Sequence, residues 1–407
     1  MVTNFFEQLN DLNTTGVANK NVILKKAALS NFANMGSATI SDLCKELNLS
    51  VPKVTSLVND LIGEGIVQEN GKIKRAGGRK PSLYGLIPDS AFFIGVDVKK
   101  SYVILGLSDL NKNVIKISDK IPYALNNSPE SLDQLCSIIQ QFIKEVRVPK
   151  KKILGIGINL SGRINNSLGY SYSFFNFKEI PLANVIESII GIRVLLENDS
   201  RGMAYGEFYS GMLKDERDVL FLNLDYGIGL GILIDGQVYY GKSGYSGEIG
   251  HIPLFENEIL CHCGKKGCLE TEASGWALIR MFKKKLQEGS SSVLSGQYKV
   301  RDIEMEDIIH AANNDDVLAI ELIEQIGRNI GRGIAILINI FNPQLVILGG
   351  SLTETGDCIR LPIISSINKY SLNLVNNDTQ LKMSKLGQNA GVIGSCLLVR
   401  DKILSFD

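Results

Sequence analysis

The chain has 407 residues, and its 43 basic side chains balance its 43 acidic ones, so net charge does not draw the whole chain to nucleic acid or membrane. Hydrophobic residues make up 44% and charged residues 21%, which is typical of a globular protein of two or three domains and excludes a disordered chain. No apolar stretch reaches the roughly 18–20 residues of a membrane span, and the N-terminus lacks a signal-peptide pattern, so we predict a cytoplasmic protein that does not contact membranes.

The first 88 residues have the pattern of a winged helix-turn-helix domain. Apolar residues at helical spacing predict three helices, over 21–32, Ile40–Leu47 and 51–62. Ser50 stands where the third helix would begin and is a favoured N-cap residue. Residues 66–68 and Ser82–Leu86 predict two short strands around a basic loop. The alternative is a small helical domain with a solvated basic loop.

In a helix-turn-helix, the second helix of the pair enters the major groove of DNA, and a basic wing contacts phosphates or the minor groove. The candidate DNA-binding residues are therefore the polar residues at the start of that helix and the basic residues of the wing. They are Ser50, Lys53, Thr55, Ser56, Asn59, Lys72, Lys74, Arg75, Arg79 and Lys80.

Residues 89–407 predict a duplicated α/β domain. The first half reads as strands Phe92–Val98, 102–107 and 114–118, helix 131–146 and strand Ile153–Leu160. The second half reads as strands Val219–Leu224, 229–234 and 237–240, helices 275–286 and 315–340, strand 345–348 and a last helix over 391–400. Two similar halves indicate two lobes with a cleft between them.

One histidine and three cysteines have the spacing of a metal site. His251 precedes Cys261, Cys263 and Cys268, and glycines between the cysteines permit the tight turns that let thiolates converge. A set of one imidazole and three thiolates is typical of a closed, structural zinc site. His262 is the competing imidazole ligand, and a chance cluster of cysteines in a loop is the alternative.

Acidic and amide side chains form a second group. Glu197, Asn198 and Asp199 follow a predicted strand, Glu248 precedes His251, and Glu270 follows Cys268 closely. Such side chains bind polyhydroxylated ligands, because each hydroxyl donates to a carboxylate and accepts from an amide or imidazole. Glu197 is the one of these that we expect to be structural.

Five segments of the chain resemble the ROK family of repressors, open reading frames and sugar kinases. They are GRKPSLYGLIPDSAFFIGVDV, ENDS, GYSGEIGHI, CHCGKKGCLET and FNPQLVILGGSL. The resemblance implies an actin-like, hexokinase-type fold after the N-terminal domain. It also implies zinc held by His251, Cys261, Cys263 and Cys268, and a sugar lined by Asn198, Asp199, Glu248, His251 and Glu270. In the family's kinases, the position of Asp199 is the base that deprotonates the sugar 6-hydroxyl.

Two loops depart from the pattern of the family's kinases. Their Asp-x-Gly-Gly-Thr loop brings backbone N–H groups close to ATP phosphates, but this chain has Lys99 and Lys100 in place of the two glycines. The second loop, usually Gly-Thr-Gly, reads Asp225, Tyr226 and Gly227. Both changes are hard to reconcile with ATP turnover, although either lysine is able to attract a phosphate.

These observations predict a sugar-responsive repressor that is not an enzyme, binds operator DNA as a homodimer or dimer of dimers, and takes an unphosphorylated sugar as inducer. In this hypothesis the sugar closes the lobes and changes the spacing of the two DNA-binding domains. One alternative is an ATP-dependent sugar kinase with a DNA-binding appendage, in which Asp199 is catalytic. Another alternative replaces the sugar with a protein partner.

Overall fold

The computed structural model describes residues 5–8, 17–72, 81–177, 179–213, 215–296 and 299–404. The chain forms two compact units. Unit 1 comprises Met1–Asn159, Phe175–Leu196 and Ser395–Asp407, and unit 2 comprises Leu160–Phe174 and Glu197–Gly394. The predicted domain division into 1–88 and 89–407 falls inside unit 1 and stays a prediction.

Helices and strands alternate along most of the described chain. The α-helices are α1 Phe5–Gln8, α2 Val17–Met35, α3 Ile40–Leu47, α4 Val51–Gly63, α5 Pro129–Glu145, α6 Leu182–Ile190, α7 Asp199–Glu207, α8 Glu270–Ala273, α9 Gly275–Gln287, α10 Met305–Ala312, α11 Val317–Phe341, α12 Asp357–Tyr370, α13 Asn373–Asp378 and α14 Ala390–Leu404. The strands are β1 Ser37–Ala38, β2 Val67–Lys72, β3 Ser82–Leu86, β4 Phe92–Val98, β5 Tyr102–Asp109, β6 Val114–Ile117, β7 Ile121–Pro122, β8 Ile153–Leu160, β9 Ile164–Asn165, β10 Tyr170–Ser171, β11 Val194–Asn198, β12 Val219–Leu224, β13 Ile228–Ile234, β14 Gln237–Val238, β15 Leu345–Gly349 and β16 Gln380–Met383. Among these helices, none combines the length and the apolar character that a membrane span requires.

The N-terminal part of unit 1 contains helices α2–α4 and a small antiparallel sheet with the strand order β1-β3-β2. Helix α3 begins at a capping box in which the Thr39 hydroxyl accepts from the N–H of Asp42 and the Asp42 carboxylate accepts from Thr39. Asn48, in the left-handed conformation, ends this helix. Ser50 is the N-cap residue of α4, as predicted, but its side chain makes no capping hydrogen bond.

The main sheet of unit 1 has the strand order β11-β8-β4-β5-β6, with β7 paired to β5. Strand β5 runs antiparallel to both β4 and β6, whereas β4 and β8 are parallel. Every residue of β4 is buried, and because successive side chains of a strand point to opposite faces, the sheet is covered on both faces at this strand. The core of the N-terminal helices is continuous with this sheet: Leu43 and Leu61 belong to the same apolar cluster as Phe93, Val399 and Ile403.

Unit 2 repeats this arrangement in a sheet with the strand order β14-β13-β12-β15-β16. The hairpin β12–β13 is antiparallel and β12 pairs in parallel with β15, as β4 does with β8. Helices α8–α12 contribute to the main core of unit 2 around Leu222, Ile334 and Leu348. The prediction of a mixed α/β fold with two related halves is confirmed.

The predicted strands match β4, β8 and β12 to the residue, and the predicted helix over 315–340 is α11. The prediction of a strand over 237–240 was too long, since β14 ends at Val238. Helices α6, α10 and α12 were not predicted. Helix α12 contains Pro362, which normally indicates a helix boundary, and this masked its pattern.

Candidate functional site

The four residues predicted to bind a metal come together in unit 2. The ligand atoms of His251, Cys261, Cys263 and Cys268 all lie within 4.8 Å of one another. His251 Nδ1 is 3.5 Å from Cys261 Sγ, and the sulfurs of Cys263 and Cys268 are 3.6 Å apart. Metal–sulfur bonds of about 2.3 Å in a tetrahedral zinc site place sulfurs about 3.8 Å apart, so the spacing fits such an ion.

Tight backbone turns bring these ligands together. Gly264 donates its N–H to the carbonyl of Cys261, and Cys261 donates to the carbonyl of Lys265. Gly267 has a φ of 73°, and a Cβ atom there would lie 2.1 Å from the carbonyl oxygen of Phe255. Only glycine fits that position, so the spacing of the motif follows from the path of the loop.

The three thiols of this group differ in the direction of their pKa shifts. Burial raises the pKa of Cys261 to about 12 and also raises the pKa of Cys268. Burial raises the pKa of Cys263 as well, but hydrogen bonds with the backbone of Lys265 and with the neighbouring cysteines outweigh this effect and lower the pKa of its thiol overall. A bound divalent cation would stabilise all three thiolates and supply the positive charge that this group of residues lacks.

His262, the competing ligand, is not part of this group of atoms. Its side chain is 62% exposed, its Nδ1 atom is 3.9 Å from Glu270 Oε1, and its ring packs against Trp276. His251 instead has its two ring nitrogens near different partners, because Nε2 lies 3.7 Å from Glu248 Oε2 while Nδ1 faces Cys261. This histidine links the metal-ligating residues to the carboxylates.

Asn198 and Asp199 begin helix α7. The Asn198 amide oxygen caps the helix by accepting from the N–H groups of Ser200 and Arg201, and its Nδ2 donates to the Gly162 carbonyl at 3.0 Å. Asp199 accepts from the N–H of Ser200 through Oδ1 and from the Ser161 hydroxyl through Oδ2, at 2.9 Å. The Asp199 carboxylate is therefore held in one orientation at the N-terminus of the helix.

Glu197 has a structural role, as expected. It is buried and pairs with Arg201, with 2.7 Å between Glu197 Oε1 and Arg201 Nε. Its carboxylate also accepts from the Asn198 N–H and from the Asn166 side chain. Because its oxygens are used inside the protein, Glu197 orients the start of α7 and does not face a ligand.

Strand β13 begins between the two groups of polar residues. The Ile228 N–H donates to Glu270 Oε2 at 3.3 Å, and the next residue, Gly229, packs against Ser200, the neighbour of Asp199. All five residues predicted to line a sugar belong to unit 2, and this strand lies next to both Glu270 and α7. The start of β13 therefore contacts Glu270 through Ile228 and the first turn of α7 through Gly229.

Both loops that replace the kinase phosphate loops have their polar groups engaged within the protein. In unit 1, the ammonium group of Lys99 lies 3.4 Å from Asp97 Oδ2, and both side chains are buried. In unit 2, the Asp225 carboxylate accepts from the N–H of Tyr226, and the Tyr226 carbonyl accepts from Trp276. A loop that binds phosphate presents its backbone N–H groups to the anion.

The residues predicted to contact DNA are exposed where the structure describes them. Ser50, Lys53, Thr55, Ser56 and Asn59 are all exposed at the start and along the outer face of α4, opposite the buried Val54, Leu57 and Leu61. Lys53 donates to Asn21 Oδ1 at 3.2 Å. Lys72 is exposed at the end of β2. Lys74, Arg75, Arg79 and Lys80 lie outside the described residues.

Sequence reasoning missed the residues that orient the site. Ser161 and Gly162 hold Asp199 and Asn198 across a separation of more than 30 residues, and no local pattern indicates such a contact. Arg201 had a detectable signal, since it lies four residues after Glu197 on a helix start, the spacing of an ion pair.

Comparisons with known proteins agree with this geometry. The sequence pattern of the ROK family matches residues 93–402. The chain is 30% identical to the xylose repressor of Bacillus subtilis over 95% of this chain and 93% of that protein. It is 32% identical to a glucokinase of Halalkalibacterium halodurans over 62% of this chain and 78% of that protein. A crystal structure of a ROK family transcriptional regulator, a homologue of the E. coli MLC protein, covers 94% of this chain and 97% of its own with a TM-score of 0.78 at 27% identity.

Proposed function

The chain belongs to the ROK family, and we propose that it is a cytoplasmic, sugar-responsive transcriptional repressor without kinase activity. The observation that carries this proposal is the extent of the similarity. The similarity to the xylose repressor extends over 95% of the chain, whereas the similarity to the glucokinase covers only 62% of it. Proteins named as repressors therefore share nearly the full chain, including residues before the segment that the family pattern matches.

The N-terminal residues support DNA binding. Helix α4 presents Lys53, Thr55, Ser56 and Asn59 on one exposed face, and these residue types donate or accept hydrogen bonds at base edges and phosphates. We assign Ser50, Lys72 and the basic residues of segment 72–80 to phosphate contacts. A homodimer or dimer of dimers would present two such helices to two half-sites of an operator.

The polar residues of unit 2 support a sugar as the effector. Asn198, Asp199, Glu248, His251 and Glu270 would each bind one or two hydroxyl groups. The carboxylate of Asp199 repels a phosphate on the same ligand, so the effector in this proposal is an unphosphorylated sugar. In place of a sugar, a protein effector would leave these five residues without a role.

The cluster of His251 with three cysteines would hold a structural zinc ion. Four protein ligands leave no open coordination position, so the ion would supply folding energy and would not activate water. Its effect on the effector is indirect: coordination through Nδ1 fixes the ring of His251, and Nε2 remains directed towards Glu248 and the sugar.

Helix α14 offers a physical route between effector and DNA. Its first turn belongs to unit 2, where a Cβ atom on Gly394 would lie 1.8 Å from the carbonyl oxygen of Gly202 in α7. Its last turns belong to unit 1, where Val399 and Ile403 share a core with α3 and α4. A sugar that binds at the start of α7 would therefore act on a helix that also supports the DNA-binding region, and would favour one of two states with different operator affinity.

Fluorescence anisotropy tests this proposal. The full chain is titrated onto labelled DNA from upstream of its own gene at about 0.1 M salt, with D-xylose, D-glucose, N-acetylglucosamine and glucose 6-phosphate added in turn. We expect specific binding that one free sugar reverses, and loss of this response in Asp199→Asn but not in the exposed control Asp302→Asn. Absence of specific DNA binding, or ADP formation from Mg-ATP that depends on a sugar and on Asp199, would overturn the repressor proposal.

A further inference from the structure

Three tyrosines form a partly exposed aromatic surface in unit 2. The rings of Tyr170 and Tyr172 stack with centroids 6.2 Å apart and planes at 23°. The ring of Tyr245 meets Tyr172 edge-on, with centroids 6.1 Å apart. Tyr172 is 49% exposed and Tyr245 is 38% exposed, so this tyrosine platform is not part of the core.

The platform is built on the hairpin that also orients the start of α7. The N–H of Tyr172 donates to the Arg163 carbonyl at 3.0 Å, and the Ser173 hydroxyl accepts from the Arg163 N–H. Two residues before Arg163, Ser161 donates to Asp199, and the Gly162 carbonyl accepts from Asn198. One short segment thus connects the ring of Tyr172 to two of the proposed sugar ligands.

Tyr245 joins the platform to the other proposed sugar ligands. The neighbouring Gly244 packs against the carbonyl of Ile164 and the side chain of Asn166, so the loop of Tyr245 rests on the same hairpin. Three residues after Tyr245, Glu248 lies 3.7 Å from His251. The tyrosine platform is thus connected to Asn198 and Asp199 through the hairpin, and to Glu248 and His251 through the loop of Tyr245.

We propose that Tyr170, Tyr172 and Tyr245 bind a second sugar ring, linked to the one that Asp199 and its neighbours bind, so that the preferred effector is a disaccharide or longer saccharide. This inference rests on the proposed function and adds the size of the effector to it. The flat rings provide the apolar surface that the C–H face of a pyranose covers. Around them, Arg163 is exposed, and Asn166 and Ser173 are partly exposed, which supplies partners for the hydroxyl groups at the edge of the sugar ring.

The protonation state of the Tyr245 phenol suits stacking against a sugar ring. Burial raises the pKa of its phenol, and the hydrogen bond with Tyr172 raises it further, while a hydrogen bond with Asn165 lowers it. The phenol therefore stays neutral at neutral pH, and its ring keeps the apolar face that stacking requires.

Isothermal titration calorimetry with the full chain tests the platform. The probes are D-xylose with β-1,4-xylobiose and D-glucose with cellobiose, each titrated into wild type, Tyr172→Ala, Tyr172→Phe and Tyr370→Ala. The last is a matched control, since Tyr370 is 47% exposed in helix α12. In wild type we expect one disaccharide to bind roughly 3- to 10-fold more tightly than its monosaccharide, the range of a single aromatic stacking contact.

Tyr172→Ala should abolish that difference and leave the monosaccharide affinity unchanged, which also shows that the variant is folded. Tyr172→Phe and Tyr370→Ala should both retain the preference. The platform proposal is overturned if the monosaccharide binds and neither disaccharide does, or if Tyr172→Ala keeps the preference, as it would where the tyrosines serve a protein partner. If no sugar of either size binds, the proposed function fails as well.

Discussion

Replacing Gly394 by alanine tests whether helix α14 connects the effector site to the DNA-binding region. The added Cβ atom would lie 1.8 Å from the Gly202 carbonyl oxygen and 2.8 Å from the Gly206 nitrogen. Ordinary carbon–oxygen contacts are about 3.3–3.6 Å, so α14 and α7 must separate by roughly 1.5 Å. The contact is between backbones, and no flexible side chain can move aside to relieve it.

Overpacking of this kind costs about 1–3 kcal/mol of the free energy of unfolding. Because α7 begins with Asn198 and Asp199, the same shift should weaken sugar binding and reduce the effect of sugar on operator affinity. Urea denaturation measures the first effect, and fluorescence anisotropy with and without saturating sugar measures the second. We expect the ratio of the two operator dissociation constants to fall towards one.

Gly63→Ala is the matched control for stability. A Cβ atom on Gly63, in the last turn of α4, would have no atom within 4 Å. The same chemical change there should be neutral or stabilise the protein by about 0.5–1 kcal/mol, since alanine has the higher helix propensity. If Gly394→Ala behaves like this control and responds to sugar like wild type, the helix does not couple the two functions.

Three further predictions follow from the site. Purified protein should contain about one zinc ion per chain. Cys268→Ser should lose this ion and unfold at a lower thermal midpoint than wild type. A zinc-free wild-type protein with the same thermal midpoint as the zinc-bound one would contradict the assignment. Lys99→Met should destabilise the protein by roughly 3–5 kcal/mol in urea denaturation because it removes the ammonium group next to the buried Asp97; Lys99→Arg should lose far less, and a loss below about 1 kcal/mol for Lys99→Met would argue against the ion pair. Lys53→Ala should weaken operator binding and reduce the slope of log affinity against log salt by about one; an unchanged slope would show that Lys53 does not contact phosphate.

The metal-ligating residues could be predicted from the sequence because all four lie within one short segment, 251–268. Cys261, Cys263 and Cys268 are joined by turns that only glycine permits, so their spacing alone indicates convergence. Continuous runs of mostly apolar residues predicted β4, β8 and β12 for a similar reason, since a strand that is buried on both faces has apolar residues along nearly all of its length.

Contacts between distant segments could not be predicted in this way. Ser161 and Asp199 are 38 residues apart, and Gly202 meets Gly394 from the other end of unit 2. A serine or a glycine has no pattern that names its partner, and such contacts follow only from the three-dimensional path of the chain. The same reason explains why Asn198, predicted as a sugar ligand, also caps α7 and donates to the Gly162 carbonyl.

The most direct test of the repressor account is the affinity of the sugar for the protein with and without operator DNA. If sugar and operator are coupled through two states, the factor by which sugar weakens operator binding must equal the factor by which operator weakens sugar binding, typically about 5- to 150-fold. Calorimetric titration of the releasing sugar into free protein and into the operator complex gives the second factor. We predict that it equals the factor from anisotropy; identical sugar affinity in the two titrations would contradict the account.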